Sequence, residues 1–253
     1  MNELKNSIIE SKTDTYINNP DLRAECKNPE VTSYKFEFDA DSKAEVMNKK
    51  DVYNSDENYL GNVERGKEMT FTEADCGSVN PNLEVDEGFQ CNCQTCVVVF
   101  EARLRGFDIE AKPFIEDSNF LKLAEQTNLA WLDSNGNHPE YIYNLDANTT
   151  DAMYDFISDT VKPGERYTLQ GIWKGPCEWG HIMSVFREET GNLVFYDPQV
   201  NLTYNERGIK ENVLSMMQKG STEDDTIKLL RIDNLSFDKQ IVDPIVKRSE
   251  AYV

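Results

Sequence analysis

Two histidines and six cysteines limit where this chain could do nucleophilic chemistry. His181 follows Gly180 at the start of a predicted strand over 181–187, and Asp197 ends the next predicted strand, over 192–197. The separation of 16 residues is the length of one hairpin, so antiparallel pairing would set the two side chains together at one edge of a sheet. There a carboxylate can accept the imidazole N–H, fix its tautomer and stabilise its cation. The attacking group must come from elsewhere. A cysteine at a helix N-terminus suits that task, because the free backbone N–H groups and the helix dipole favour thiolate. The same N–H groups can hold an oxyanion. Cys93 follows Asn92, an N-cap candidate, at the start of a predicted helix over 93–105, and Cys96 lies three residues on along the same face. Either could be the nucleophile of an acyl-transfer reaction.

The elements that must position these groups follow from periodicity. Val97, Phe100 and Leu104 recur at helical spacing, and Gly106 is placed to end the helix as its C′ residue. A helical turn is predicted over 69–74, a strand over 107–111, and helices over 120–132, 146–160 and 210–218. Strands are predicted over 167–173 and 227–232, beside the two that carry His181 and Asp197. Helices first and then an antiparallel meander make the fold class α+β. Residues 1–65 are polar and weakly patterned, with one short strand predicted at Tyr34-Lys35-Phe36-Glu37-Phe38. They read as an N-terminal extension to a catalytic domain over 66–245, with a C-terminal tail over 246–253.

Other readings compete for the same residues. Cys91, Cys93 and Cys96, with His181 or Cys177, could ligate zinc, but a structural zinc site usually has two C-x-x-C knuckles and only one is present. The cysteines could simply pack in a core. Asp197 before Pro198 could be a plain turn residue. His138 reads as a loop residue, and Arg103 and Arg105 as cations complementing the helix C-terminus. Trp173 and Trp179 flank the loop before His181 and could wall a cleft or pack in the core or at the rim.

The run Asn80-Pro81-Asn82, then Asn92-Cys93-Gln94-Thr95-Cys96 through Arg103-Leu104-Arg105-Gly106, then Gly180-His181 and Phe195-Tyr196-Asp197-Pro198-Gln199 resembles the papain-fold toxin family of glutamine deamidases. Such modules occur in bacterial polymorphic toxins and effectors and in phage head-associated proteins. The resemblance spans about 66–243. It implies a papain-like cysteine hydrolase fold, with the nucleophile helix packed on the sheet that carries His and Asp. It implies Cys93 as nucleophile, His181 as base, Asp197 as orienting carboxylate, and Asn92 and Gln199 as supporting residues. A second alignment, with papain-type proteases, has Gln90 six residues before Cys96 and would make Cys96 the nucleophile and Gln90 the oxyanion donor. The implied reaction needs no cofactor and no metal. The implied partner is a target protein bearing a reactive glutamine, with an immunity protein or a phage-particle component as a further partner. A cysteine peptidase, or a particle-associated module that uses the fold for binding or assembly, are the alternatives.

The net charge of −20 is spread along the chain: residues 1–65 hold 9 basic and 14 acidic side chains out of totals of 26 and 46. That argues against nucleic acid and anionic membranes as partners and fits a basic one. No apolar run reaches membrane-spanning length, and the first residues lack the apolar core of a signal peptide. The sequence thus reads as that of a protein made in a cytosol, then delivered into a target cell or packaged in a particle.

Overall fold

The computed structural model describes residues 57–75, 79–116, 118–175, 180–188, 190–220, 222–223 and 225–250. The predicted strand at Tyr34 to Phe38, and Cys26, Cys76, Cys177 and Trp179, lie outside them.

Six strands form the central sheet: β1 (Ile142–Tyr143), β2 (Arg166–Ile172), β3 (Gly180–Arg187), β4 (Leu193–Asp197), β5 (Leu202–Tyr204) and β6 (Lys228–Arg231). Their order is β1-β6-β2-β3-β4-β5, and every pairing is antiparallel. Strands β2, β3 and β4 follow one another as expected, β5 extends them without having been predicted, and β6, the fourth expected strand, returns to the outer side of β2. The α+β class expected from the sequence is thus the class observed.

Alternation sorts the strand side chains onto two faces. Ile182, Phe186, Val194, Tyr196 and Leu230 share one core with the helix Cys93–Leu104, while Met183, Val185, Leu193, Phe195 and Leu229 share another with Met153 and Ile157. The helices are α1 (Phe71–Asp75), α2 (Cys93–Leu104), α3 (Ser118–Glu125), α4 (Thr150–Thr160), α5 (Glu206–Ile209, continuing as a π-turn over Lys210–Leu214) and α6 (Lys239–Ile245). Helix α2 is buried on nearly all sides, as a helix with apolar residues around its circumference must be. Four rings seat it: Phe100 lies 4.5 Å from Tyr196 and 5.3 Å from Phe71, and Phe71 lies 4.9 Å from Tyr196 and 5.6 Å from Phe186. Offset and edge-on aromatic contacts of this kind favour one placement of the helix over its neighbours.

The C-terminus of α2 closes as predicted. The Gly106 N–H donates to the Arg103 carbonyl at 2.9 Å and the Phe107 N–H to the Ala102 carbonyl at 3.0 Å, the Schellman pair. Gly106 has φ 98°, and an added Cβ would come within 2.6 Å of the Gly66 carbonyl oxygen.

Several boundaries differ from the sequence reading. The folded domain starts before residue 66: Leu60 and Val63 of the hairpin Tyr59–Leu60/Val63–Glu64 join the core, and the Phe237 N–H donates to Glu57 at 2.6 Å. It also continues past 245, because Val246–Arg248 pairs with Ile109–Ala111 and Val246 is buried. The helix predicted over 120–132 splits into α3, a 3₁₀ turn (Thr127–Ala130) and a strand (Trp131–Leu132) that pairs with Ser236–Phe237.

Arg103 and Arg105 do not sit in solvent at the helix end. Arg103 is buried and donates to the carbonyls of Ala74, Ile109 and Glu73, to Asp108 and to Ser249. Arg105 donates to Glu101 at 2.9 Å and to the carbonyls of Leu235 and Ile232 at 2.7 Å each. Glu101 also receives a bidentate pair from Arg166 of β2, both bonds 2.8 Å. Burial pushes the Glu101 carboxyl up, but the two guanidinium groups outweigh it and hold it below its ordinary range. This ionic clamp ties the last turns of α2 to β2. Among the described residues, no helix is long and apolar enough to cross a membrane.

Candidate active site

The site forms where the N-terminus of α2 meets one end of the sheet. His181 sits at the start of β3, opposite Gly171 of β2, and Asp197 at the end of β4. The two residues lie diagonally across the β3–β4 pair and on the same face, so a short carboxylate and an imidazole can bridge the gap. The Nε2 of His181 lies 2.6 Å from Asp197 Oδ2, and both side chains are 4% exposed.

The second oxygen of Asp197 is also fixed: Oδ1 accepts the Gln199 N–H at 3.0 Å. This is an Asx turn, with Pro198 setting the backbone between. The Asp-Pro-Gln segment is therefore a turn and an orienting device at once. The turn closes through Asn201 at φ 56°, whose Oδ1 accepts the Tyr196 hydroxyl at 3.2 Å.

Cys93 opens α2, its thiol donates to Gln94 Oε1 at 3.4 Å, and its sulfur is close enough to His181 to be one cause of the raised imidazole pKa. With Nε2 committed to Asp197, Nδ1 is the ring nitrogen outside that bond. Burial alone would lower the pKa of His181. The Asp197 charge, its hydrogen bond and the adjacent Cys93 sulfur outweigh burial and push it up to about 10. The carboxylate and the sulfur both favour the protonated ring. Trp173, which follows the last residue of β2, stacks on the imidazole with ring centres 5.4 Å apart and planes 23° apart. Sequence alone left it undecided between cleft wall and core or rim packing; it covers one face of the ring.

Cys96 differs from Cys93. It is fully buried, its thiol donates to Asn92 Oδ1 at 3.3 Å, and burial followed by the Cys93 and Asp197 charges pushes its pKa well up. Gln90 is exposed in the 3₁₀ turn Glu87–Gln90 that leads to Cys91. Asn92 does occupy the N-cap position of α2, but its side chain caps nothing. Its Nδ2 donates to Asn80 Oδ1 and to the Lys112 carbonyl at 3.1 Å each, and its Oδ1 faces Gln199 Nε2 at 3.4 Å. The first-turn N–H groups of α2 are thereby left without a side-chain cap from Asn92.

Gln199 and Asn80 are buried in the same carboxamide cluster. Asn80 had no assigned role in the sequence reading, although it opens the Asn80-Pro81-Asn82 run. The second histidine, His138, lies away from this site, with Nδ1 2.9 Å from the Trp131 carbonyl oxygen. Cys91, Cys93 and Cys96 form no disulfide with one another. Among the described residues, no group of three His, Cys, Asp or Glu side chains is arranged to hold a metal ion.

Comparison with curated proteins gave no match. Residues 91–201 match the family model described as papain fold toxin 1, glutamine deamidase. That span runs from Cys91, just before α2, to the turn after Asp197, and over it the resemblance read from the sequence is borne out.

Proposed function

We propose that this chain is a cysteine-dependent deamidase that converts a glutamine side chain of a target protein to glutamate. The observation that carries the reading is the meeting of Cys93, His181 and Asp197 at the N-terminus of a buried helix, within the span that matches a glutamine deamidase family. The imidazolium beside Cys93 is the partner that a thiolate needs. The thiolate attacks the side-chain carbonyl carbon, a C–S bond forms, and the oxygen takes the charge. The first-turn N–H groups of α2 are the donors available to that oxyanion. His181 gives its proton to the nitrogen, the C–N bond breaks and ammonia leaves. The neutral imidazole then takes a proton from water as the water attacks the thioester. The C–S bond breaks, the carboxylic acid product gives its proton to solvent and leaves as glutamate, and the thiolate–imidazolium pair is restored. Asp197 holds the ring in one orientation throughout.

Cys93 is preferred to Cys96 because the Cys96 thiol is enclosed and committed to Asn92. Gln90 has no part in this reading. The product carries a new negative charge and lacks the donor it had, a change that at a buried or switch position of the target costs about 1–3 kcal/mol or more. That suffices for a toxin or effector. The net charge of −20 favours a basic target surface.

The test is to incubate the full chain, or its Cys93→Ala variant, with a cell lysate and to map peptides by mass spectrometry. Gln-to-Glu conversion at defined sites, with ammonia released, in the wild type alone is the expected result. New backbone cleavage sites without conversion would make the enzyme a peptidase, and identical maps would refute an amide-hydrolysing activity.

A further inference from the structure

The two halves of the site come from distant parts of the chain, and beside the direct Asn92–Gln199 contact the buried side chain of Asn80 bonds to both. Asn80 is 8% exposed. Both hydrogens of its Nδ2 are used: one goes to the Phe89 carbonyl at 2.9 Å, the other to the Gln199 carbonyl at 3.0 Å, across 119 positions of sequence. Its Oδ1 accepts Asn92 Nδ2 at 3.1 Å. Phe89 lies in the turn leading into α2, Asn92 immediately precedes Cys93, and Gln199 closes the turn that fixes Asp197. Asn80 thus touches the thiol-bearing and the imidazole-bearing sides of the site at once, while itself lying on neither α2 nor the sheet.

We propose that Asn80 is a positioning residue for the reaction: through Asn92 and Gln199 it sets the approach of the Cys93 sulfur to the His181 ring. The proposal rests on the reading of Cys93 and His181 as the reacting pair. The chemistry requires a carboxamide at this position. A carboxylate of the same shape would keep the acceptor for Asn92 but would present oxygen to the Phe89 and Gln199 carbonyls, and like partial charges repel. An alanine would leave those two carbonyls and the Asn92 amide without the bonds they make here. The ionic clamp at Glu101 fixes the far end of α2 some ~12 Å from Cys93, at 1.5 Å per residue. Without Asn80 the near end keeps only the Asn92 bond to the Lys112 carbonyl and the longer 3.4 Å contact to Gln199 beside its apolar packing, a looser hold than the full carboxamide cluster.

The experiment reads the thiol–imidazole pair directly, without needing the target protein. Carbamidomethylation of the full chain by iodoacetamide is followed by intact mass and peptide mapping between pH 5 and 10, with thermal melting of each protein. The proteins are the wild type and Cys93→Ala, Asn80→Ala, Asn80→Asp, His181→Ala and Asn80→Ala/His181→Ala. The expected result is that Asn80→Ala and Asn80→Asp melt cooperatively but label Cys93 at least tenfold more slowly at pH 6. Their pH profiles should move to that of His181→Ala, and the double variant should label no more slowly than His181→Ala alone. Such non-additivity marks two residues acting through one interaction. Wild-type labelling at pH 6 in the Asn80 variants would overturn the proposal, as would a further tenfold loss on top of His181→Ala. Loss of the cooperative melt in both Asn80 variants would also overturn it, since Asn80 would then be a residue of the fold. A wild type that labels no faster than Cys93→Ala would sink the reacting-pair reading and this proposal with it, whereas failure of Asn80 alone leaves that reading standing.

Discussion

The buried clamp on α2 makes the most demanding stability prediction, for the substitution Glu101→Gln. Glu101 accepts three charge-assisted bonds of 2.8–2.9 Å, two from Arg166 and one from Arg105, and all three residues are buried. Glutamine keeps the shape and one oxygen, but its amide nitrogen faces guanidinium N–H groups and the negative charge is gone. Arg105 retains its carbonyl partners and has Glu57 3.9 Å away; the bidentate partner of Arg166 is lost. Breaking a buried ion pair from one side costs about 3–5 kcal/mol, because the remaining charge loses its matched partner in a buried place. For a domain of this size each kcal/mol is worth about 2–4 °C, so the melting temperature should fall by roughly 6–20 °C.

Urea unfolding followed by tryptophan fluorescence at pH 7 measures the loss, and Trp131, 5.6 Å beneath the Arg105 guanidinium, reports from the clamp itself. The pH dependence gives a second check. The folded-state pKa of Glu101 lies below its ordinary 4.5, so its stabilisation is complete above that value and fades as pH falls through the folded pKa. The gap between wild type and Glu101→Gln should therefore narrow only in acid, below about pH 4.5. A loss under about 1 kcal/mol at pH 7, a value typical of exposed pairs, would refute the argument. So would a gap that stays constant well into acid.

Asp197→Asn removes the largest of the effects that raise the His181 pKa and leaves Cys93 alone to oppose burial. The His181-dependent step in the pH profile of Cys93 alkylation should move to lower pH, and a step that stays put would show that Asp197 does not hold the ring. The sign for stability is the same: a His pKa raised on folding contributes fully below 6.5 and is lost as pH rises through about 10. Cys96→Ala should cost about 1 kcal/mol in denaturant unfolding, for a lost weak hydrogen bond and a small cavity, and leave the alkylation rate of Cys93 unchanged. Gly106→Ala meets both a φ of 98° and a backbone oxygen 2.6 Å from its new Cβ, so it should lower stability by about 1–3 kcal/mol in the same assay.

The sequence carried the site better than its supports. His181 and Asp197 could be paired because a hairpin is local, and the distance between them in the chain fixes their distance in space. Helix α2 was legible because Val97, Phe100 and Leu104 show a helical period and Gly106 an unmistakable stop. The partners of its charged residues were not legible. Arg103 and Arg105 read as complements to the helix C-terminus, and nothing near them in sequence shows that Ala74, Ile232 and Leu235 will bring carbonyls to them or that Arg166 will reach Glu101. The role of Asn80 was hidden for the same reason, since its partner Gln199 is 119 residues away. The domain edges at 66 and 245 were placed by texture, and the hairpin at Tyr59–Glu64 and the strand Val246–Arg248 are too short to show a period. What decides such segments is a long-range pairing that local pattern does not encode.

The central claim is that Cys93 is a nucleophile activated by His181. Intact-mass analysis after brief iodoacetamide treatment at mildly acidic pH tests it most directly, comparing wild type with Cys93→Ala, Cys96→Ala and His181→Ala. The account predicts one fast label in the wild type and in Cys96→Ala, absent from Cys93→Ala and slowed in His181→Ala. A label lost only in Cys96→Ala, or a wild type that reacts no faster than an ordinary thiol, would contradict it.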